Sequence, residues 1–449
     1  MKIEEIVKAT KGQLLSGNEN DEVTGLTQDT RHVEPGYLYI PLVGKRDGHD
    51  FIRQAFEKGA IASLTDHPID DLKHNLILVK DTHQAMGDIA RYIRKKSQAL
   101  VVGVTGSVGK TSTKDMIASV VAQSYTTLKT QGNFNNDIGV PLTIFNYRQE
   151  EAMVIEMGMN HLGEIDYLTH IALPDVAVIT NVGTAHIGEV GSRENILKAK
   201  MEITHGLKKG GRLIVNGDND MLATVHSTDD YEVYKVGIDS EVDLKAYDLV
   251  LNERSSKFKV DIDGRSETFI VNEPGKHFIY NALSAIAVGL SLHIPVEKIK
   301  TGIATFELTK NRADMFVLKG GIKVFDGTYN ANLDSMKASI DVLAQYQGRK
   351  IAVLADMLEL GDYEEKLHRE VGQYCCDKHV DVVLTVGRAA AYISDVCKTN
   401  GIDTKHFEDN NALVQYLLPN LQKGDVILVK GSNGMKLKEV IGALKEKEA

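Results

Sequence analysis

The chain has 449 residues, 43% hydrophobic and 25% charged, the make-up of a globular protein too long for one core, so two to four domains are expected. Its formal net charge of -10 argues against a dedicated nucleic-acid binder, whose phosphate contacts need clustered lysine and arginine, but leaves room for a basic pocket around one small anion. Cys375, Cys376 and Cys397 form no C-x-x-C pair, the opening "MKIEEIVKAT" is acidic where a secretory signal is apolar, and no apolar run reaches the ~18 residues of a membrane helix. A cytoplasmic protein in a reducing compartment, without membrane insertion, is expected.

Residues 1–98 form a first block. Ile3, Ile6 and Val7 fall at helical spacing, "PGYLYIPLVG" turns at Pro35 and Gly36 into a strand, and "HDFIRQAFEKGAIASL" predicts a helix ended by Gly59 and then a strand. A second block, 99–310, opens on "ALVVGVTG", a buried strand running straight into a glycine loop. The runs "AMVIEMG", "DVAVITNVG" and "GRLIVNGD" follow, separated by helical stretches, which is the rhythm of a mostly parallel sheet with crossover helices. The helices "HFIYNALSAIAVGLSLHI" and "VEKIKTGIATF" close this block.

A third block, 311–449, alternates more regularly. Strands "IKVFDG", "KIAVLAD", "VDVVLTVG" and "GDVILVKG" are followed by helices from Leu333, Asp362, Arg388 and Met435. This predicts an open doubly wound sheet of the dinucleotide-binding type; no G-x-G-x-x-G follows its first strand, so the fold is expected without that cofactor. The predicted class is α/β, in three domains.

The stretch "GVTGSVGKTSTKDM" carries the chemistry. The strict pattern G-x-x-x-x-G-K-[ST] fails by position, since Val104 stands where its first glycine belongs. What remains is Gly106, Ser107, Val108, Gly109, Lys110, Thr111 and Ser112 between a strand and a helix. In that context backbone N–H groups and the helix start collect phosphate oxygens, Lys110 reaches the outer phosphates, and the Thr111 hydroxyl is placed for Mg²⁺. The loop says nothing about where the terminal phosphate goes. Glu156 ends the strand of "AMVIEM", where parallel sheets display functional groups. His186 follows another strand, and Lys200 lies on the next helix. Taken singly, a solvated or paired glutamate is as good a reading of the first, and a structural or surface histidine and an exposed lysine are better readings of the other two.

In order, "GNFNNDIGVPLT", "VIEMGMNHLGEI", "NVGTAHIGEVGS" and "KAKMEI" after the loop resemble the Mur ligase family, which builds the peptidoglycan precursor. The resemblance runs from "TQDTRHVEPGYLYIPLVGKRDGHDFI" to "VILVKGSNGMK". It implies a UDP-sugar-binding domain, a central ATPase and a C-terminal domain that closes over the nucleotide. Within the family, "EMGMNHLGEI", "DGTYNANLDSM" and "LADMLELGDYEEKLH" look like the branch that joins D-alanyl-D-alanine to UDP-N-acetylmuramoyl-tripeptide through an acyl phosphate. By the same resemblance Thr111 and Glu156 serve one Mg²⁺ and His186 a second, with Lys200 carbamylated beside it. Asn281 meets the adenine, Arg312 the phosphates and Asp326 the ribose, while Tyr329, Asn330 and Asn332 shape the closing face. Thr30, Arg31, Asp47, Gly48 and His49 are implied on the uridine and peptide side, and Asn135 and Asn136 where the carboxylate meets the γ-phosphate. The partners implied are these small molecules and no nucleic acid, and a monomer is expected.

The chain departs from the family pattern at Gly327, Leu333, Asn433 and Lys438, all on the closing side. Two other readings stay open: a sister or folylpolyglutamate-type ligase adding one amino acid, and a nucleotide-gated binding protein without ligase chemistry.

Overall fold

The structure, a computed structural model, describes residues 1–70, 74–308 and 314–446. It contains three separate sheets. The first has five strands in the order Gln13–Ser16, Asn75–Leu78, Ala62–Thr65, Tyr37–Tyr39, Gly25–Thr27, parallel except for the pairing of Gln13–Ser16.

The second sheet holds nine strands. From one edge they run Thr127–Lys129, Ala152–Glu156, Leu100–Thr105, Val176–Ile179, Gly211–Asn216, Tyr231–Gly237 and Leu244–Leu251, all parallel. Ser256–Ile262 and Arg265–Val271 then add an antiparallel hairpin. The hairpin's alternation, buried at Phe258 and Val260 and exposed at Lys257 and Asp261, shows one face packed and one wet. The third sheet has six strands. Asp314–Leu318 is antiparallel to Ile322–Gly327, and Val426–Lys430, Lys350–Ala355, Val382–Val386 and Asp403–Phe407 follow in parallel.

The central strands read as unbroken apolar runs because both faces are covered. Val101 belongs to a cluster that continues into the first and third sheets' helices and strands. Val102 and Val104, pointing the other way, pack with the helices Lys110–Val121, Lys276–Ser291 and Val296–Ala304. Strand Leu100–Thr105 lies between Val176–Ile179 and Ala152–Glu156, so the winding reverses at its carboxyl end. That switch point is where an α/β sheet opens a crevice, and the glycine loop leaves from it. Cys375, Cys376 and Cys397 are free thiols. Among the described residues no helix is long and apolar enough to cross a membrane.

Candidate active site

The loop's shape is dictated by glycine. Gly106 has φ +148°, and a Cβ there would stand 1.9 Å from Thr180 Oγ1; Gly109 has φ +80°. The neighbouring strand's end pins the loop. Ser107 N donates to Asn181 O at 3.1 Å and Val108 N to Asn181 Oδ1 at 2.8 Å. Thr180 Oγ1 donates to Val108 O at 2.6 Å, and Gly183 N to Ser107 Oγ at 3.0 Å. Helix Lys110–Val121 starts at Gly109 with no side chain capping it, and Lys110 Nζ folds over the loop onto Gly106 O at 2.7 Å. Uncapped amides, the positive end of a helix dipole and an ammonium group converge on one spot, the physical recipe for a phosphate site.

Glu156 is fully buried at the end of the adjacent strand. Its Oε1 accepts from Asn135 Nδ2 at 2.8 Å and Thr111 Oγ1 at 3.2 Å, and its backbone N–H donates to Thr130 Oγ1 at 3.0 Å. Its Oε2 is buried with no hydrogen-bond partner among the described residues. A buried lysine, Lys114, donates to Thr130 O at 2.8 Å beneath it. Burial pushes the Lys114 ammonium below the usual lysine range, with Asp115 and Glu156 opposing. An unsatisfied buried carboxylate oxygen costs several kcal/mol unless a cation meets it. The hydroxyl and carboxylate oxygens of Thr111 and Glu156 are the hard donors Mg²⁺ takes, so these residues fit that ion.

His186 sits in the left-handed region at φ +61°. Its Nδ1 stands 2.8 Å from Glu359 Oε2, a contact that does not align as a hydrogen bond, and the nitrogen is buried. Burial pushes its pKa down; Glu359 opposes this, and Lys110 and Lys200 add to it. The neutral ring therefore offers a lone pair. Lys200, on helix Arg193–Met201, is only 1% exposed and makes no ion pair among the described residues. Burial drives its amine far below the usual lysine range, reinforced by Lys110 and opposed by Glu164 and Glu202. Glu202 makes no ion pair with it; its carboxylate accepts from Gly163 N at 2.7 Å and Asp166 N at 3.1 Å at the start of helix Glu164–Ala172.

Several of these groups border a cavity of about 1180 Å³ with walls from all three sheets' segments. Ser107, Val108, Gly109, Lys110, Ser112, Asn135, Asn136, Glu156, His186 and Asn281 line it on the central side, and Asp326, Tyr329, Asn330 and Asn332 face them. Gly106, Thr111 and Lys200 lie outside that lining; Thr111 and Lys200 are buried. Asn281 Oδ1 accepts from Thr113 Oγ1 at 2.9 Å, and Asp326 Oδ1 from Thr328 Oγ1 at 2.6 Å. Asn332 accepts from Ser335 N at 2.9 Å, capping helix Leu333–Gln345, so it has a structural task as well.

The expected uridine-side residues stand elsewhere. Thr30, Arg31, Asp47, Gly48 and His49 do not line this cavity; the first segment contributes Asp81, His83 and Gln84. Arg31 is exposed and paired with Asp29, while His49 is buried, its Nδ1 2.6 Å from Asp47 Oδ1 and its Nε2 3.3 Å from Asp66 Oδ1. Arg312 lies outside the described residues.

Sequence reasoning passed over several wall residues. Asn181, which clamps the loop, lay inside the quoted "TNVG" but its task depends on a neighbouring strand. Asp334 reaches across to Thr184 N at 3.3 Å, and burial pushes its carboxyl above the usual range. No local pattern announces either.

Residues 104–289 match the family model described as Mur ligase middle domain, and residues 311–433 the one described as Mur ligase, glutamate ligase domain. The chain belongs to the Mur ligase family. This Mur ligase is 39% identical to the UDP-N-acetylmuramoyl-tripeptide–D-alanyl-D-alanine ligase of Bacillus subtilis over 99% of its own length and 98% of the relative's. It is 37% identical to the enzyme of the same name from Escherichia coli, covering 94% and 93% of the two chains. Among solved structures it is similar to MurF from Acinetobacter baumannii, with a TM-score of 0.92, 31% identity and 99% and 98% of the chains covered. MurF from Thermotoga maritima in complex with ADP matches with a TM-score of 0.85 and 28% identity over 96% and 99% of the chains.

Proposed function

We propose that this Mur ligase joins D-alanyl-D-alanine to UDP-N-acetylmuramoyl-tripeptide at the expense of ATP, giving the pentapeptide precursor of peptidoglycan, ADP and phosphate. The observation that carries the reading is the buried set beside the phosphate loop: Glu156 with an oxygen that has no hydrogen-bond partner among the described residues, Thr111 touching it, and Lys200 with no ion pair among them. A nucleotide switch has no use for the second half of that set. The names and near-complete overlap of the relatives support the substrate pair.

The reaction brings a triphosphate against a carboxylate. Two unit charges 4 Å apart repel by about 1 kcal/mol in water and about 4 kcal/mol at an effective dielectric of 20, so a closed site needs cations between them. Lys110 and the amides of the helix start receive the outer phosphates. Thr111 and Glu156 would hold one Mg²⁺, and His186 and Lys200, as its carbamate, another. Bound there, Mg²⁺ would supply charge neutralisation for the phosphates and the substrate carboxylate. Burial favours the neutral form of the Lys200 amine, the form that adds to carbon dioxide, releasing a proton and leaving an N-carboxylate. That change turns a neutral amine into an anionic oxygen ligand, the kind of donor Mg²⁺ takes.

The peptide's carboxylate oxygen then attacks the γ-phosphorus and ADP leaves. The dipeptide's amine attacks the acyl carbon and phosphate leaves. Asn135 and Asn136 border the cleft where these atoms meet. Asn281 takes the adenine side, Asp326 the ribose and Arg312 the phosphates from the third segment, with Tyr329, Asn330 and Asn332 on the closing face. Segments 1–98, 99–310 and 311–449 act as the UDP-sugar, ATP and closing domains, with Thr30, Arg31 and Asp47–His49 on the uridine side of the first. An acyl phosphate is lost to water unless the third segment shuts the cleft first. The enzyme works as a cytoplasmic monomer.

Phosphate release measured with each substrate omitted tests the reading. It should require both UDP-muramoyl-tripeptide and D-alanyl-D-alanine; release at full rate without the dipeptide would contradict it. Running lysine-type and diaminopimelate-type tripeptides side by side identifies the third residue.

A further inference from the structure

The signature "LADMLELGDYEEKLH" has so far no task. In the fold it runs from the end of strand Lys350–Ala355 and reaches across to the short helix Ile187–Val190 that follows His186. Gly188 N donates to Glu359 O at 3.1 Å, and Tyr363 Oη donates to Gly191 O at 3.1 Å. The approach demands glycine: a Cβ on Gly188 would stand 2.6 Å from Gly361 N and 2.7 Å from Glu359 O.

Docked this way, Glu359 brings Oε2 to 2.8 Å from His186 Nδ1. The pair is too close to be unrelated, yet its geometry fails as a hydrogen bond and leaves the buried nitrogen without a partner among the described residues. The Glu359 side chain is 56% exposed and pairs with no lysine or arginine among the described residues. An aligned imidazole–carboxylate pair points donor at acceptor. Two ligands at right angles on one octahedral ion do not: with bonds of 2.0–2.1 Å they stand about 2.9 Å apart, each aimed at the ion. The observed spacing and misalignment match the second arrangement.

We propose that Glu359 is a metal ligand, completing with His186 the second divalent-cation site when the third segment docks. The inference rests on the two-cation reading given above. Glu359 and carbamylated Lys200 then supply two negative charges, and the neutral imidazole none, which balances a dication in a site that Lys110 also borders. A ligand carried by the closing segment makes cation binding and closure favour one another by the same factor. The cation site is complete only when water is shut out.

The competing role is an outer carboxylate that merely orients the imidazole, and removing such a partner also costs 10–100-fold in affinity. Loss of affinity alone does not separate the two, so the test adds a ligand swap. Full-length protein with ADP is titrated with Mn²⁺ and followed by electron paramagnetic resonance, comparing wild type with Glu359→Gln; Glu359→Cys is titrated with Cd²⁺, with wild type as the background for the native thiols. The wild type should hold two Mn²⁺, Glu359→Gln should weaken one site at least about tenfold and spare the other, and Glu359→Cys should gain a sulfur-to-cadmium charge-transfer band. Equal Mn²⁺ affinities in wild type and Glu359→Gln, equal weakening of both sites, or a weakened site without the cadmium band would overturn the assignment to Glu359 alone. A single Mn²⁺ in the wild type would overturn the two-cation reading with it.

Discussion

The two walls of the cleft are built differently. On the central wall Glu156 and Lys200 are buried, Lys110 lies on the phosphate loop, and Asn181 clamps that loop through its backbone carbonyl and its side chain. On the opposite wall Tyr329 and Glu359 are exposed, and the bonds that cross beside the cleft are Thr184 N to Asp334, Gly188 N to Glu359 O and Tyr363 to Gly191 O, with Lys323 and Tyr346 meeting Glu253 farther along the same boundary. The contrast separates two tasks. Groups that must meet charge are fixed and desolvated beforehand, where electrostatics are strong; groups that must come and go are held by a handful of modest bonds.

If that division is right, losses should be largest on the fixed wall. Lys110→Ala should lower phosphate release by ~10³-fold or more with an unchanged circular-dichroism melt, since it removes charge stabilisation from the transferring group. Glu156→Gln should follow, at ~10²–10³-fold, and should raise the Mg²⁺ concentration needed for half-maximal rate. Lys200→Ala should lose roughly 10²-fold and recover part of it with added acetate or propionate, small anions able to stand in for the carbamate. An unrescued mutant of full activity would remove the carbamate from the scheme.

The opposite wall should be forgiving. Asp334→Ala should raise the KM for ATP more than it lowers kcat, by ~5–10-fold, because its bond to Thr184 helps hold the cleft shut rather than stabilise the reacting atoms. Tyr363→Phe deletes one neutral hydrogen bond, worth ~0.5–1.5 kcal/mol, and should change kcat/KM no more than ~10-fold. If Tyr363→Phe proved as damaging as Lys110→Ala, the division between the walls would collapse.

The same contrast explains what the sequence disclosed. Strand-then-glycine-loop-then-helix is a local pattern, and its mechanism follows from backbone amides and one lysine, so "GVTGSVGKTS" was readable directly. The parallel strands were legible as apolar runs because both of their faces are covered. The hairpin Ser256–Ile262 and Arg265–Val271 went unread: its half-exposed alternation resembles polar connecting chain, and only its packing on helix Lys276–Ser291 settles it. Strand Asp403–Phe407 was missed for the same reason, with Lys405 and His406 exposed on an edge.

At the site, family resemblance named Glu156, His186 and Lys200, but no spacing in the sequence says that Glu202 caps a helix or that Lys200 makes no ion pair among the described residues. Nor does it place Asp334 or Glu359, which lie more than a hundred residues from their partners and meet them only through docking of the third segment. Thr30, Arg31 and Asp47–His49 were assigned by motif alone, and the structure sets them apart from the main cavity, where Asp81, His83 and Gln84 represent their segment.

The claim that everything else depends on is that divalent ions on the central wall let triphosphate and carboxylate lie together. Anomalous diffraction from crystals grown with Mn²⁺ and a non-hydrolysable ATP analogue tests it without recourse to kinetics. The account predicts one anomalous peak in contact with Thr111 and Glu156 and a second in contact with His186 and a density-extended Lys200; peaks bound only to the triphosphate, with Glu156 and His186 turned away, would contradict it.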